Sequence, residues 1–169
     1  MLRWLFDKIA ATPPAGSGGF AGIVRANLVG TDEETIRIVI AIAGLLGTVA
    51  YADRRYSPAE ERRIRQELER VEALSPSGID AVCGALRVHI VDIATVEAPL
   101  YARELLDLVD RDFRLQVLDA LVDLAAADDE ITVAETNVVR MTATALGLTQ
   151  GDYNACQTRH RDKLKVLKG

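Results

Sequence analysis

Ala52-Asp53-Arg54-Arg55-Tyr56-Ser57-Pro58-Ala59-Glu60 and Ala127-Asp128-Asp129-Glu130-Ile131-Thr132-Val133-Ala134-Glu135 align without a gap, 75 residues apart in a chain of 169. The shared pattern is A-D-x-x-[Y/I]-[S/T]-x-A-E. An apolar helical stretch precedes each copy and a further helical stretch follows it. The repeated unit is therefore helix, acidic turn, capped helix. A single unit of this kind cannot bury its own apolar stripes. Two of them predict a pseudo-twofold helical bundle, with Ile64 and Val139 as equivalent core positions.

Turn physics accounts for much of the pattern. Asp after an apolar helix can end it by bonding the local backbone. Ser57 with Glu60, and Thr132 with Glu135, form capping boxes. The second copy adds chemistry, because Asp128, Asp129, Glu130 and Glu135 cluster within one turn. That run is similar to the second half of an EF-hand loop. However, Asp129 stands at the glycine position, and Leu124 and Ala126 replace the first carboxylates, so no EF-hand is present. Carboxylates this close repel one another unless a positive charge intervenes. One solution is a divalent cation held by these acids, with Asp53 and Glu60 contributing if the two turns meet. The other is pairing with Arg54 or Arg55 of the first turn. The residues leave both open.

The rest of the chain reads as all-α, with about seven main helices. Thr31 and Glu34 predict a capping box for a helix running to about Tyr51. Ile38 to Ala52 is apolar apart from glycines and Thr48, but at 15 residues it falls short of the roughly 20 that span a bilayer. It is expected to be the central buried helix, with Gly44 and Gly47 admitting a close neighbour. A charged outer helix to about Ala73 follows, then a break at Ser75-Pro76-Ser77-Gly78. Further helices are expected over 79–94, from Pro99, over 113–127, over 132–146 and after Thr149. Aromatic residues make up only 5%, and no stretch alternates with a period of two, which argues against a sandwich or barrel.

Residues 1–19 are expected to form a separate region: an amphipathic helix carrying Leu2, Leu5, Phe6 and Ile9, then a Pro/Gly linker. Residues 20–169 form the helical domain. The first helix can pack back on the bundle, bind a partner or lie on a membrane surface. No secretory signal peptide is evident. The net charge of −5 and pI near 5.1 disfavour nucleic acid as a partner. Cys83 and Cys156 read as buried residues of a reducing compartment. His89 and His160 lack the E-x-x-H of di-iron bundles, and no nucleophile elbow or P-loop occurs. His89 is expected to be satisfied by Asp92. The chain is not expected to be an enzyme, nor to take a small-molecule substrate. A carboxylate metalloenzyme would need a redox metal with His89 close to the acidic turns.

At Ala52–Glu60 and Ala127–Glu135 the chain resembles the TerB-like family, named from the bacterial tellurite-resistance cluster. That family has paired turns of the kind A-D-G-x-[I]-[S/T/D]-x-x-E, each between two helices. The resemblance extends over roughly Thr31 to Leu164. It implies an all-helical cytoplasmic domain, a link to tellurite and other stress responses, and an acidic metal-binding site. It also implies links to membrane-associated stress complexes and to the amino-terminal domain of a membrane-tethered J-protein co-chaperone. Carried over residue by residue, it places cation ligands at Asp53, Glu60, Asp128, Glu130 and Glu135. The chain departs from the pattern at the glycine, which is Arg54 in one copy and Asp129 in the other.

The expected function is thus a non-enzymatic stress-response module that binds a divalent cation at paired acidic turns and binds protein partners. Its expected place is the cytoplasm, at the inner face of the membrane if the first helix engages lipid. The alternative is a metal-free helical interaction scaffold, peripheral to the inner membrane through that helix.

Overall fold

The computed structural model describes residues 19–127 and 131–168, with side chains as far as residue 161. The described elements are α1 (Phe20–Ala26), α2 (Glu33–Ala50), α3 (Pro58–Leu68), α4 (Pro76–Asp92), a π-helical segment (Ile93–Glu97), α5 (Ala98–Leu108), α6 (Arg111–Ala125), α7 (Val133–Ala145) and α8 (Gln150–Lys168). The chain is all-α, as expected. The expectations for Met1 to Ala10 and for most of the linker lie outside the described residues.

Helix α2 is the axis. From Val39 to Ala50 nearly every residue is buried, because neighbours cover it on all sides: α1, α3, α4, the π segment, α5, α6 and α7. Its two glycines are where neighbours come closest. A Cβ on Gly44 would strike the ring of Tyr101 on α5, and one on Gly47 would lie 2.9 Å from Leu86 on α4. No described helix is long and apolar enough to cross a membrane.

The repeat is larger than the matching turns suggest. Helices α2-α3-α4 correspond to α6-α7-α8, their first residues lying 78, 75 and 74 residues apart. Within each triplet all three helices pack on one another. Between the triplets α2 meets α6, α3 packs on α6, and α7 packs on α2. That reciprocity is what a pseudo-twofold relation produces. Ile64 and Val139, the predicted equivalent positions, are both buried. Helices α1 and α5 break the symmetry: α1 lies on α4 and α2, whereas α5 lies across α2 and α7.

Four local readings are corrected. The cap of α2 is Asp32, which accepts from the Thr35 amide at 2.9 Å, not Thr31. Helix α3 ends at Leu68, short of Ala73. Ser75-Pro76 does not break the chain but starts α4, with Ser75 as cap and Pro76 at the first helical position, where its missing N–H costs nothing. A helix does open at Pro99, with the proline in its first turn, but the gap expected between it and the helix over 79–94 is not there, because residues 76–108 run on without a break. Proline inside a helix removes an amide and crowds the preceding turn. Here the π segment just before it takes up the misfit, and the Thr95 hydroxyl donates to the Val91 carbonyl at 2.6 Å.

Candidate functional site

The first acidic turn is built by its own backbone. Helix α2 closes at Tyr51. Arg54 then adopts φ +64°, in the left-handed region, which is where the family pattern has glycine. Asp53 Oδ1 accepts from the Arg55 amide at 2.8 Å. The Ser57 amide donates to Glu60 Oε2 at 2.7 Å, and the Glu60 amide donates to Ser57 Oγ at 3.1 Å. Glu60 is only 3% exposed.

The second turn closes in the same way. The Thr132 amide donates to Glu135 Oε2 at 2.7 Å, and the Glu135 amide donates to Thr132 Oγ1 at 3.1 Å. Glu135 is 4% exposed. Both capping boxes are therefore present, with a buried glutamate at the base of each turn. Asp128, Asp129 and Glu130 lie outside the described residues, and with them the expected pairing to Arg54 or Arg55. Among the described residues, Asp53, Glu60 and Glu135 do not converge into a three-ligand set.

A different set does converge. Asp119 on α6 and Cys156 and His160 on α8 present ligand atoms that all lie within 4.8 Å of one another. The Cys156 thiol donates to Asp119 Oδ1 at 2.8 Å, and Arg159 Nη2 donates to the same oxygen at 2.7 Å. His160 Nδ1 is 3.4 Å from Asp123 Oδ1, and the Arg63 guanidinium, from α3, pairs with the other Asp123 oxygen. Burial pushes the Cys156 thiol up to about 12, with the Asp119 carboxylate adding to the shift. Partial burial works against the Asp119 carboxylate, but hydrogen bonds from Cys156 and Arg159 outweigh it and hold the group below its usual range. Both cysteines are free and buried.

Sequence reading missed this cluster because it took Cys156 only as a buried residue and tested His160 only for the E-x-x-H pattern. The available signal was Cys156-x-x-x-His160 and Asp119-x-x-x-Asp123, each pair one turn apart on a single helix.

A cleft of about 460 Å³ lies beside the first turn, lined by Tyr56, Pro58, Glu61, Arg62, Arg65 and Arg87. Its charges are largely matched internally. Glu61 accepts from Arg87 at 2.7 Å and pairs with Arg65, which also pairs with Asp80. The Tyr56 hydroxyl is buried without a hydrogen-bond partner, and burial raises its pKa far above the ordinary tyrosine value.

Searches of curated proteins and of solved structures find no match. A family model described as tellurite resistance protein TerB matches residues 39–158. The match runs from the buried half of α2 to α8, takes in both acidic turns and covers well over half of the chain. This chain belongs to the TerB family.

Proposed function

We propose that the chain is a non-catalytic TerB-family module that takes a hard divalent cation on its second acidic turn and engages a protein partner. The reading rests on one contrast between two turns built on the same frame. Each has a buried glutamate closing a capping box. At the positions after the leading Asp, the first turn carries Arg54 and Arg55, and the second carries Asp129 and Glu130. In the first turn the Asp53 oxygen is engaged by the Arg55 amide. The second adds three acids, Asp128, Asp129 and Glu130, to the eight residues that end at Glu135, and an oxygen-preferring ion such as Ca²⁺ or Mg²⁺ relieves the repulsion that such a run creates. For a partner, Val88, Val91, Val96 and Leu100 stand exposed on successive turns of the run from α4 to α5.

The test is thermal unfolding in EDTA against millimolar Ca²⁺, Mg²⁺ or Mn²⁺, comparing the native chain with Asp128→Asn/Glu130→Gln. That pair removes acids and leaves the capping box intact. A cation-dependent rise in Tm that the variant loses supports the reading. The absence of any rise refutes it.

A second reading, the metal-free scaffold, draws on the capping boxes themselves. They engage an oxygen of Glu60 and of Glu135 without any ion. It is the reading left standing if no cation shifts the melting temperature.

A further inference from the structure

We propose that Asp119, Cys156 and His160 form a zinc site that ties α8 to α6, separate from the acidic turns. Three donors of different kinds, an oxygen, a sulfur and a nitrogen, face one another from two packed helices. A mixed set that includes cysteine and histidine suits zinc and not calcium or magnesium. Ligand atoms on one tetrahedral zinc stand about 3.5 Å apart, given bonds of about 2.0–2.3 Å. The set therefore needs to contract by about 1 Å at its widest, which side-chain rotation supplies.

The surroundings match those of a zinc site. Cys156 and His160 are buried, whereas the Asp119 side chain is partly exposed, which leaves an entry path and a fourth position for water. Asp123 lies 3.4 Å from His160 Nδ1, and a carboxylate in that position orients a zinc-bound imidazole. The ion then takes Nε2. Asp123 is itself held by Arg63, so this outer support reaches α3.

The charges balance. Zinc displaces the Cys156 proton to solvent and meets one thiolate and one carboxylate, giving a neutral centre. Arg159 swings away from Asp119. It is more than half exposed, and exposed pairs of this kind hold weakly. Cys83, on α4, lies among Arg65, Asp80 and Glu61 and takes no part.

The test uses the full chain, stripped with EDTA and titrated with Co²⁺, then with Zn²⁺ to displace it. The expected result is a thiolate-to-cobalt charge-transfer band that saturates at one Co²⁺ per chain, apart from any Co²⁺ that the acidic turn takes without such a band. The band persists in Cys83→Ser and in Asp128→Asn/Glu130→Gln, and disappears in Cys156→Ser. His160→Gln and Asp119→Asn weaken binding at least tenfold. A cobalt complex without a thiolate band, or no stoichiometric binding, overturns the proposal. So does a band that survives in Cys156→Ser. Should Cys156→Ser fail to fold, Cys83→Ser still decides, because the chain has only two cysteines. A band lost there overturns the assignment, and a band kept there locates the ligand at Cys156. Because Asp128→Asn/Glu130→Gln leaves this site intact, its outcome is independent of the acidic turns.

Discussion

Arg54 is a left-handed residue with a full side chain. That conformation costs an L-residue about 1 kcal/mol or more. Glycine would relieve it but would also gain freedom in the unfolded chain. Arg54→Gly should therefore raise stability by about 0.5 kcal/mol, a rise in Tm of about 1–2 °C for a chain of this size. A fall in Tm would mean that the Arg54 side chain makes contacts that outweigh the strain. Glycines of α2 and α4 give a sharper comparison. A Cβ on Gly44 would strike the Tyr101 ring, whereas one on Gly84 meets nothing within 4 Å. Gly44→Ala should cost about 1–2 kcal/mol, as overpacking outweighs the gain in helix propensity. Gly84→Ala should gain about 0.5–1 kcal/mol. Urea melts of the two variants check both signs.

Titration also belongs at this scale. The Thr35 amide holds the Asp32 carboxyl below its ordinary value, the Thr149 amide does the same for Asp152, and a hydrogen bond from Arg87 does so for Glu61. A depressed carboxylate contributes stability that is fully present above its unfolded pKa, about 4, and is lost as pH falls through the folded value. Stability should therefore hold from neutral pH down to about 5 and fall below about 4. Asp32→Asn should flatten that acid limb, as read from urea midpoints across the range.

At the scale of elements, the two capping boxes make the helix starts at Ser57 and Thr132 self-contained. Glu60→Ala and Glu135→Ala each remove an oxygen that closes a box and leave the cap amide without its partner. Each should cost about 1–2 kcal/mol, with helicity otherwise kept in circular dichroism. These starts were legible in the sequence because a box is four consecutive residues whose chemistry is local. Ser75-Pro76 was misread because the same two residues serve equally as a turn and as a cap followed by proline. Only packing decides, and Gly78 completes the cap by donating to Ser75 Oγ. The helix start at Pro99 was legible, but its continuity with the helix before it was not. Proline usually ends a helix, and what keeps this one going is burial of Ile93 inside the π segment and of Tyr101 in the first turn after it.

Across the whole molecule, the doubled unit was visible as nine aligned positions, six of them matched, while its third helices were not. Helices α4 and α8 correspond in place but share little sequence, because α4 is covered by α1 as well as by α2 and α3, while α8 packs on α6 and α7. The Asp119–Cys156–His160 cluster was illegible for the same reason: it exists only once α8 lies on α6. Neither half of the frame should fold alone, since α3 packs on α6 and α7 packs on α2. Ile64→Ala and Val139→Ala should therefore melt the whole chain in one transition, with Ile64→Ala costing about 2–5 kcal/mol. Two separable transitions would show independent halves.

The asymmetry between the two turns is the centre of the functional account, and calcium stoichiometry by equilibrium dialysis tests it most directly. The account predicts one Ca²⁺ per chain, retained in Asp53→Asn and lost in Asp128→Asn/Glu130→Gln. No bound calcium, two ions per chain, or one ion that survives loss of both acids would contradict it.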